Sequence, residues 1–373
     1  MVANAYPSDR TLYANAFIHT RVRAYRQAGL DVSVVVVKAQ AGAPYEFEGV
    51  PVEVVDARGY ARIVAEGGHE KYLVHFPHPY MLEPIAKLAP HVPVIAWVHG
   101  YETEKWHRRW FNLVDDPAAI RTALKRRETH SGPQLEFMRW LFTTTDLDIT
   151  VVQVSEWFRD HISEADVGAR ARRCVVIPNP IDAELFAYRR KDPSLRTKVL
   201  AIRPYASRKY ANDLTVAAIR LLASHPYFGD FNFTLYGDGP LWERTTAPLA
   251  GLRNVTLHRT FLEQSAIPDI HAAHGVYLSP TRFDSQGVSM CEAMSSGLVP
   301  IATAVSAIPE FVEDGRTGLL GTPESAHALA QHLDRLYREP ETFVSLSREA
   351  AAGIRDKCGA HATTKREVEL IQS

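Results

Sequence analysis

Val276-Tyr277-Leu278-Ser279-Pro280-Thr281-Arg282-Phe283-Asp284-Ser285-Gln286-Gly287-Val288-Ser289-Met290-Cys291-Glu292-Ala293-Met294-Ser295-Ser296-Gly297-Leu298-Val299-Pro300-Ile301-Ala302 is the stretch whose reading decides the fold. Val276 to Leu278 is a short apolar run that predicts a buried strand. A loop follows, a helix begins near Gly287, and Gly297 closes it. Val299 to Ala302 then starts another strand. A strand, a helix and a strand in succession are the repeating piece of an α/β protein with a parallel sheet.

The same alternation extends in both directions. Upstream, Val199 to Ile202, Phe231 to Tyr236 and Val255 to Leu257 predict strands. Between them lies a helix over about 209 to 224, with Leu214, Ala217, Ala218, Leu221 and Leu222 at helical spacing. Downstream come helices over about 324 to 338, 342 to 356 and 361 to 372. In the first half, strands are expected at Val32 to Val37, Val50 to Val55, Leu73 to Phe76, Val92 to Val98, Ile149 to Val152 and Cys174 to Ile177. Met1 to Asn4 reads as the end of a first strand, and 11 to 28 as a helix closed by Gly29. Continuous Val/Ile runs suit a parallel sheet covered on both faces. Pro178-Asn179-Pro180 and Asp192-Pro193-Ser194 break the pattern, so 178 to 196 reads as the linker region. The expected domains are 1–178 and 179–357, with a last helix, 358–373, packing back on the first. Two such doubly wound domains are expected to face each other across a cleft. Ligands in these sheets bind beyond the carboxyl ends of the strands.

Composition agrees with two domains. The chain has 373 residues, enough for two or three domains at roughly 150 each. Hydrophobic residues make up 46% and charged residues 23%, which excludes a largely disordered chain. Lys and Arg number 42 against 43 Asp and Glu, so net charge gives no reason to expect nucleic acid as a partner. Cys174, Cys291 and Cys358 lie far apart, without a CxxC pair, which suggests neither a zinc site nor a disulfide framework and fits a reducing cytoplasm. No apolar run reaches the roughly 20 residues of a membrane span. Polar Asn4, Ser8, Asp9 and Arg10 leave no signal-peptide pattern.

Three features sit immediately after expected strands. Arg203 follows Val199 to Ile202, with Lys209 six residues on; two cations there suit a diphosphate, and a solvated loop pair is the plainer alternative. Gly237-Asp238-Gly239-Pro240 follows Phe231 to Tyr236 and allows a tight turn with close ligand approach. Asp284 and Glu292 are separated by seven residues across a loop-to-helix junction, where Gly287 lets a phosphate approach free N–H groups. Acceptor carboxylates at those two places suit sugar hydroxyls.

Taken in order, these motifs resemble the retaining glycosyltransferases of family 4, which have the GT-B fold of two facing Rossmann-like domains. Val176-Ile177-Pro178-Asn179-Pro180-Ile181-Asp182 is similar to their interdomain segment, and the resemblance is specific over about 176 to 321. In the first 150 residues it rests on His99-Gly100, similar to the family's active-site histidine. The resemblance implies a nucleotide-diphosphate sugar as donor, no cofactor and no metal requirement. It implies that Arg203 and Lys209 neutralise the leaving diphosphate and that His99 contacts the sugar or reacting centre. Gly287 and Val288 would hydrogen-bond the diphosphate through their amides, within a donor loop that includes Ser285 and Gln286. Glu292 would hold the ribose, while Gly237, Asp238 and Gly239 would lie near the nucleotide. Asp284 stands where the family has a longer Glu, as a positioning group. The loop Tyr6-Pro7-Ser8-Asp9-Arg10-Thr11-Leu12-Tyr13 lacks the glycine pair usual there. A glycan or lipid-linked acceptor in cell-surface polysaccharide synthesis is the expected context. A phosphorylase or epimerase on the same fold, or a binder without turnover, are the competing readings.

The acceptor side is read from 103 to 127. Lys105, Arg108, Arg109, Arg121, Lys125, Arg126 and Arg127 outnumber Glu104, Asp115 and Asp116 by four. Trp106, Trp110 and Phe111 interleave with them. Lys105, Trp106, Arg108, Arg109 and Trp110 are the expected acceptor or anionic-membrane patch; packing of the aromatics into the core is the alternative. His75 and His78 read as loop histidines rather than metal ligands.

Overall fold

A computed structural model describes all residues except Arg10, Leu12, Tyr13 and Asp115. Part of the N-terminal loop 6–13 and one acid of the 103–127 segment therefore lie outside the described residues. The chain divides into two compact units. One comprises Met1–Arg108, Pro117–Pro180 and His361–Ser373, and the other Arg109–Asp116 and Ile181–Ala360.

The first unit is built on eight strands: β1 (Val2–Ala3), β2 (Val34–Val37), β3 (Tyr45–Phe47), β4 (Val50–Val55), β5 (Tyr72–His75), β6 (Val94–Val98), β7 (Ile149–Gln153) and β8 (Cys174–Val176). Their order is β3-β4-β2-β1-β5-β6-β7-β8. Every pairing is parallel except the β3–β4 hairpin at one edge. All residues of β2, β5 and β6 are buried, as strands covered on both faces must be. In β4 the pattern alternates buried and exposed at its start, beside the hairpin.

The last helix, Thr364–Gln372, is held in this unit by a buried cluster. Glu367 accepts from Arg21 Nε (3.0 and 3.2 Å), Tyr25 Oη (2.6 Å) and Trp97 Nε1 (3.1 Å). Arg21 also donates to Asn179 Oδ1 at 3.1 Å, so a residue of the Pro-Asn-Pro break serves as a buried acceptor. Both Arg21 and Glu367 are fully buried, and a buried pair of this kind depends on having its remaining polar atoms satisfied. Val368, Leu370 and Ile371 pack against the apolar core on the same side.

The second unit has six strands: β9 (Lys198–Ile202), β10 (Asn232–Tyr236), β11 (Val255–His258), β12 (Val276–Leu278), β13 (Val299–Thr303) and β14 (Leu319–Gly321). The order is β11-β10-β9-β12-β13-β14, parallel throughout. From β9 the chain winds to β10 and β11 on one side, then returns to place β12 beside β9. The strand order thus reverses between β9 and β12, and the crevice at such a point is where open α/β sheets bind ligands. The expected helix over 209–224 is two pieces. A 3-10 turn, Arg208–Tyr210, is followed by Ala211 at φ +46° and then by the helix Asn212–Leu222. Lys209 is therefore carried on its own turn.

Candidate functional site

Arg203 continues β9, and its N–H donates to Tyr236 O of β10 at 3.0 Å. The residue is only 4% exposed. One Nη donates to Ser279 O at 3.2 Å, beyond the end of β12, and the other to Ser289 Oγ at 3.4 Å. Arg203 thus bridges the two strands that flank the reversal. Its Nε is buried without a hydrogen-bond partner among the described residues. A buried donor left in this state costs on the order of 1–3 kcal/mol and marks a position that a ligand can satisfy.

Lys209 is fixed from behind. Its carbonyl accepts from Arg282 N (2.8 Å) and Thr281 Oγ1 (2.9 Å). Its ammonium lies 5.5 Å from the Tyr210 ring centre, and no described carboxylate pairs with it. Ser207 Oγ accepts Lys209 N–H at 3.1 Å and donates to Asn112 Oδ1 at 2.9 Å; Asn112 Oδ1 also takes Arg208 N–H at 3.0 Å.

Gly237 and Gly239 are needed for close approach of two loops. Both have positive φ (+152° and +146°), and a side chain would strike the carbonyl of Arg203 and the backbone of Tyr205 respectively. Asp238 O accepts from Tyr205 N at 2.8 Å. The carboxylate of Asp238 is committed to Arg259 Nε (2.8 Å) and Gly239 N–H (2.7 Å). This turn therefore seats the Arg203 loop.

Asp284 sits where the β12 loop meets the helix Val288–Ser295. Its Oδ1 accepts the N–H groups of Gln286 (3.3 Å) and Gly287 (3.0 Å). A side chain as short as Asp reaches its own backbone two and three residues on, as in an Asx turn. Burial alone would raise this carboxyl. The charges of Lys209 and Arg203 and the two N–H bonds outweigh it and hold Asp284 below the usual range. The Gly287 amide, expected to face a diphosphate, is bonded to Asp284 here. Gln286 is likewise turned inward, with Nε2 3.6 Å from Cys358 Sγ. Gly287 itself is left-handed (φ +81°), and Ile308 Cδ1 would lie 3.1 Å from an added Cβ. Val288 and Ser289 open the helix, so their N–H groups have no carbonyl within it. Val288 and Ser285 are half-buried at this rim. Glu292, one turn further in, is pushed up to about 7 by burial, with a Gln264 hydrogen bond opposing and the charge of Asp182 adding.

One residue absent from the expectations organises this loop. Arg282 donates to Asp213 (2.8 and 2.8 Å), Glu324 (2.7 and 2.8 Å) and Arg208 O (2.9 Å). It ties the β12 loop to the turn bearing Lys209. The signal available was an arginine between two strand-end motifs, which composition alone does not distinguish from a surface cation.

His99 follows β6 in the first unit. His75, within the expected strand Leu73 to Phe76, is the last residue of β5, and its Nδ1 is 2.9 Å from His99 Nε2. The two rings stack at 5.2 Å. Burial pushes both imidazoles well below their ordinary value, with the Arg21 charge adding. Both are neutral near pH 7. Glu102 accepts the N–H groups of His99 (3.0 Å) and Gly100 (2.8 Å), and burial pushes it up to about 7. His78 bonds Gln134 Oε1 at 2.9 Å. Among the described residues no three His, Cys, Asp or Glu side chains group as a metal site.

The residues of the expected acceptor patch fall in both units. Asp166 accepts Lys105 N–H (2.9 Å) and both arms of Arg108 (2.8 and 2.6 Å), which draws that turn inward. Trp106 is half-buried, while Trp110 is 58% exposed. Lys105, Trp106 and Arg108 belong to the first unit; Arg109 and Trp110 group with the second.

Residues 196–339 match the family described as Glycosyl transferases group 1. The gpi3 subunit of phosphatidylinositol N-acetylglucosaminyltransferase from Schizosaccharomyces pombe is 30% identical over 186 residues, covering 47% of this chain and 38% of that protein. The putative colanic acid biosynthesis glycosyltransferase WcaL of Salmonella typhimurium is 25% identical over 230 residues, 56% of this chain and 53% of that one. The chain thus spans about half or less of these relatives' lengths. Sucrose-phosphate synthase from Thermosynechococcus elongatus superposes with a TM-score of 0.72 at 18% identity, covering 96% of this chain and 92% of that one. Anabaena HepE, solved with UDP and glucose, gives 0.70 at 16% identity over 100% and 98%. Both units carry the Rossmann-like architecture of the GT-B glycosyltransferases.

Proposed function

We propose that this protein is a glycosyltransferase that moves a sugar from a nucleotide-diphosphate donor to a glycan or lipid-linked acceptor, with retention at the anomeric carbon. The observation that carries the reading is the arrangement at the β9–β12 reversal. Arg203, whose buried Nε has no hydrogen-bond partner among the described residues, and Lys209, whose charge acts on Asp284, lie in the same unit as the open start of the helix Val288–Ser295. Cleaving the sugar–phosphate bond moves negative charge onto the diphosphate. Fixed cations and amides aimed at that charge stabilise its development without reorganising. In this reading Arg203, Lys209 and the N–H groups of Val288 and Ser289 hold the diphosphate, and Glu292 accepts from ribose hydroxyls. Asp284 shapes the loop and balances the two cations. Retention is supported by the Asp284-x7-Glu292 spacing, which is similar to that of family 4. His99 is assigned to the sugar, as a neutral imidazole able to donate or accept. No cofactor or metal is invoked. The relative WcaL, named for colanic acid biosynthesis, supports a glycan context.

A panel of nucleotide sugars tests this. Binding shows as thermal stabilisation, which grows as RT ln(1 + [L]/Kd). Release of nucleoside diphosphate from one donor, accelerated by an acceptor, is the expected result. Stabilisation without any release would favour a binder without turnover, a reading that the inward bonding of Asp284 favours. Absence of stabilisation by every donor would remove the donor site.

A further inference from the structure

The helix Pro117–Arg126 in the first unit has no buried residue, and neither does the π turn Arg127–Ser131 that continues it. Isolated helices this short are marginal in water, and helices in proteins are held mainly by burial of an apolar face. This helix has such a face, and its two large apolar side chains are exposed. Ile120 and Leu124 stand four residues apart, 40% and 42% exposed, beside half-buried Ala119 and Ala123. At 100° per residue these four share one arc, and Arg121, Lys125 and Arg126 fill the other. From 117 to 131 there are four Lys and Arg residues against one acid, Glu128. No ion pair ties Arg121, Lys125, Arg126 or Arg127 to a described carboxylate.

We infer that this helical arm docks on an anionic lipid surface, with Ile120 and Leu124 in the headgroup–acyl boundary and the cations on lipid phosphates. Two large apolar side chains and two alanines cover far less than the about 800 Å² per partner of a stable protein interface, which argues against a second copy as occupant. A bilayer needs no shape complement, and each cation near an anionic surface strengthens binding roughly fivefold. The site is separate from the donor residues and does not depend on the sugar-transfer reading. It moves the expected membrane contact from the Lys105–Trp110 turn, whose Arg108 is spent on Asp166, to the exposed arm. Among the described residues no helix is long and apolar enough to cross a membrane, so contact through this arm is peripheral.

Flotation with vesicles of phosphatidylcholine alone, or with added phosphatidylglycerol, tests it on the full chain. The protein should float with the anionic vesicles, not with the neutral ones, and be released by high salt. Ile120→Asp with Leu124→Asp, and separately Arg121→Glu with Lys125→Glu, should each weaken binding by more than roughly tenfold at unchanged melting temperature, since none of the four is buried. Lack of flotation by the wild type, or flotation of both double variants at wild-type level, would overturn the proposal. So would a lipid-free dimer in light scattering that Leu124→Asp abolishes.

Discussion

Lys209 and Asp284 show how one side chain's role depends on another's reach. Asp284 is short enough to fold onto the amides of Gln286 and Gly287, and the Lys209 charge helps to hold its carboxyl ionised. Lys209→Ala should lower sugar transfer at least about tenfold, equivalent to about 1.4 kcal/mol of transition-state stabilisation, with circular dichroism unchanged. Glu292 and Glu102 give a pH signature. Both carboxyls are pushed up to about 7 in the folded protein from an ordinary value near 4.5. Between those values the folded state holds protons that the unfolded chain has lost, so stability should fall as pH rises from about 4.5 through 7. Urea titrations across that range check it, and Glu292→Gln or Glu102→Gln should flatten the slope. Asp284 runs the other way: its contribution is present above the unfolded value and lost as pH falls below it.

Elements differ in how much of them could be read beforehand. Strands β2, β6, β12 and β13 were legible because unbroken apolar runs leave one sensible environment, a sheet buried on both faces. β3 includes a charged residue and β14 ends on a glycine, so neither short strand stands out as an apolar run. The helix after β9 was read as one piece because its apolar spacing is regular; the left-handed Ala211, which separates the Lys209 turn from it, has no mark in the sequence. The order of site motifs was visible, but their partners were not. Nothing adjacent to Arg282 foretells Asp213 and Glu324, which lie 69 and 42 residues away. Arg282→Ala should release the turn that bears Lys209. We expect a loss of about 1–3 kcal/mol in stability, since Arg282 is largely shielded though both acids are half exposed, and a rise in donor KM larger than the fall in kcat. Steady-state kinetics and thermal melts measure the two effects.

For the whole chain, the last helix is the element whose placement matters most to stability. Its Glu367 serves Arg21, Tyr25 and Trp97, residues some 270 to 346 positions earlier. Glu367→Ala leaves the buried Arg21 without its carboxylate and should cost about 3–5 kcal/mol, read as a lowered urea midpoint. Glu367→Gln, which keeps an acceptor, should cost less.

On the proposed function, the β9–β12 reversal holds the diphosphate of a sugar donor. The direct measurement is nucleoside diphosphate release from a panel of nucleotide sugars by the wild type and by Lys209→Ala. The prediction is turnover with at least one donor and at least about a tenfold loss in the variant. Equal rates in the two proteins, with both folded, would contradict it.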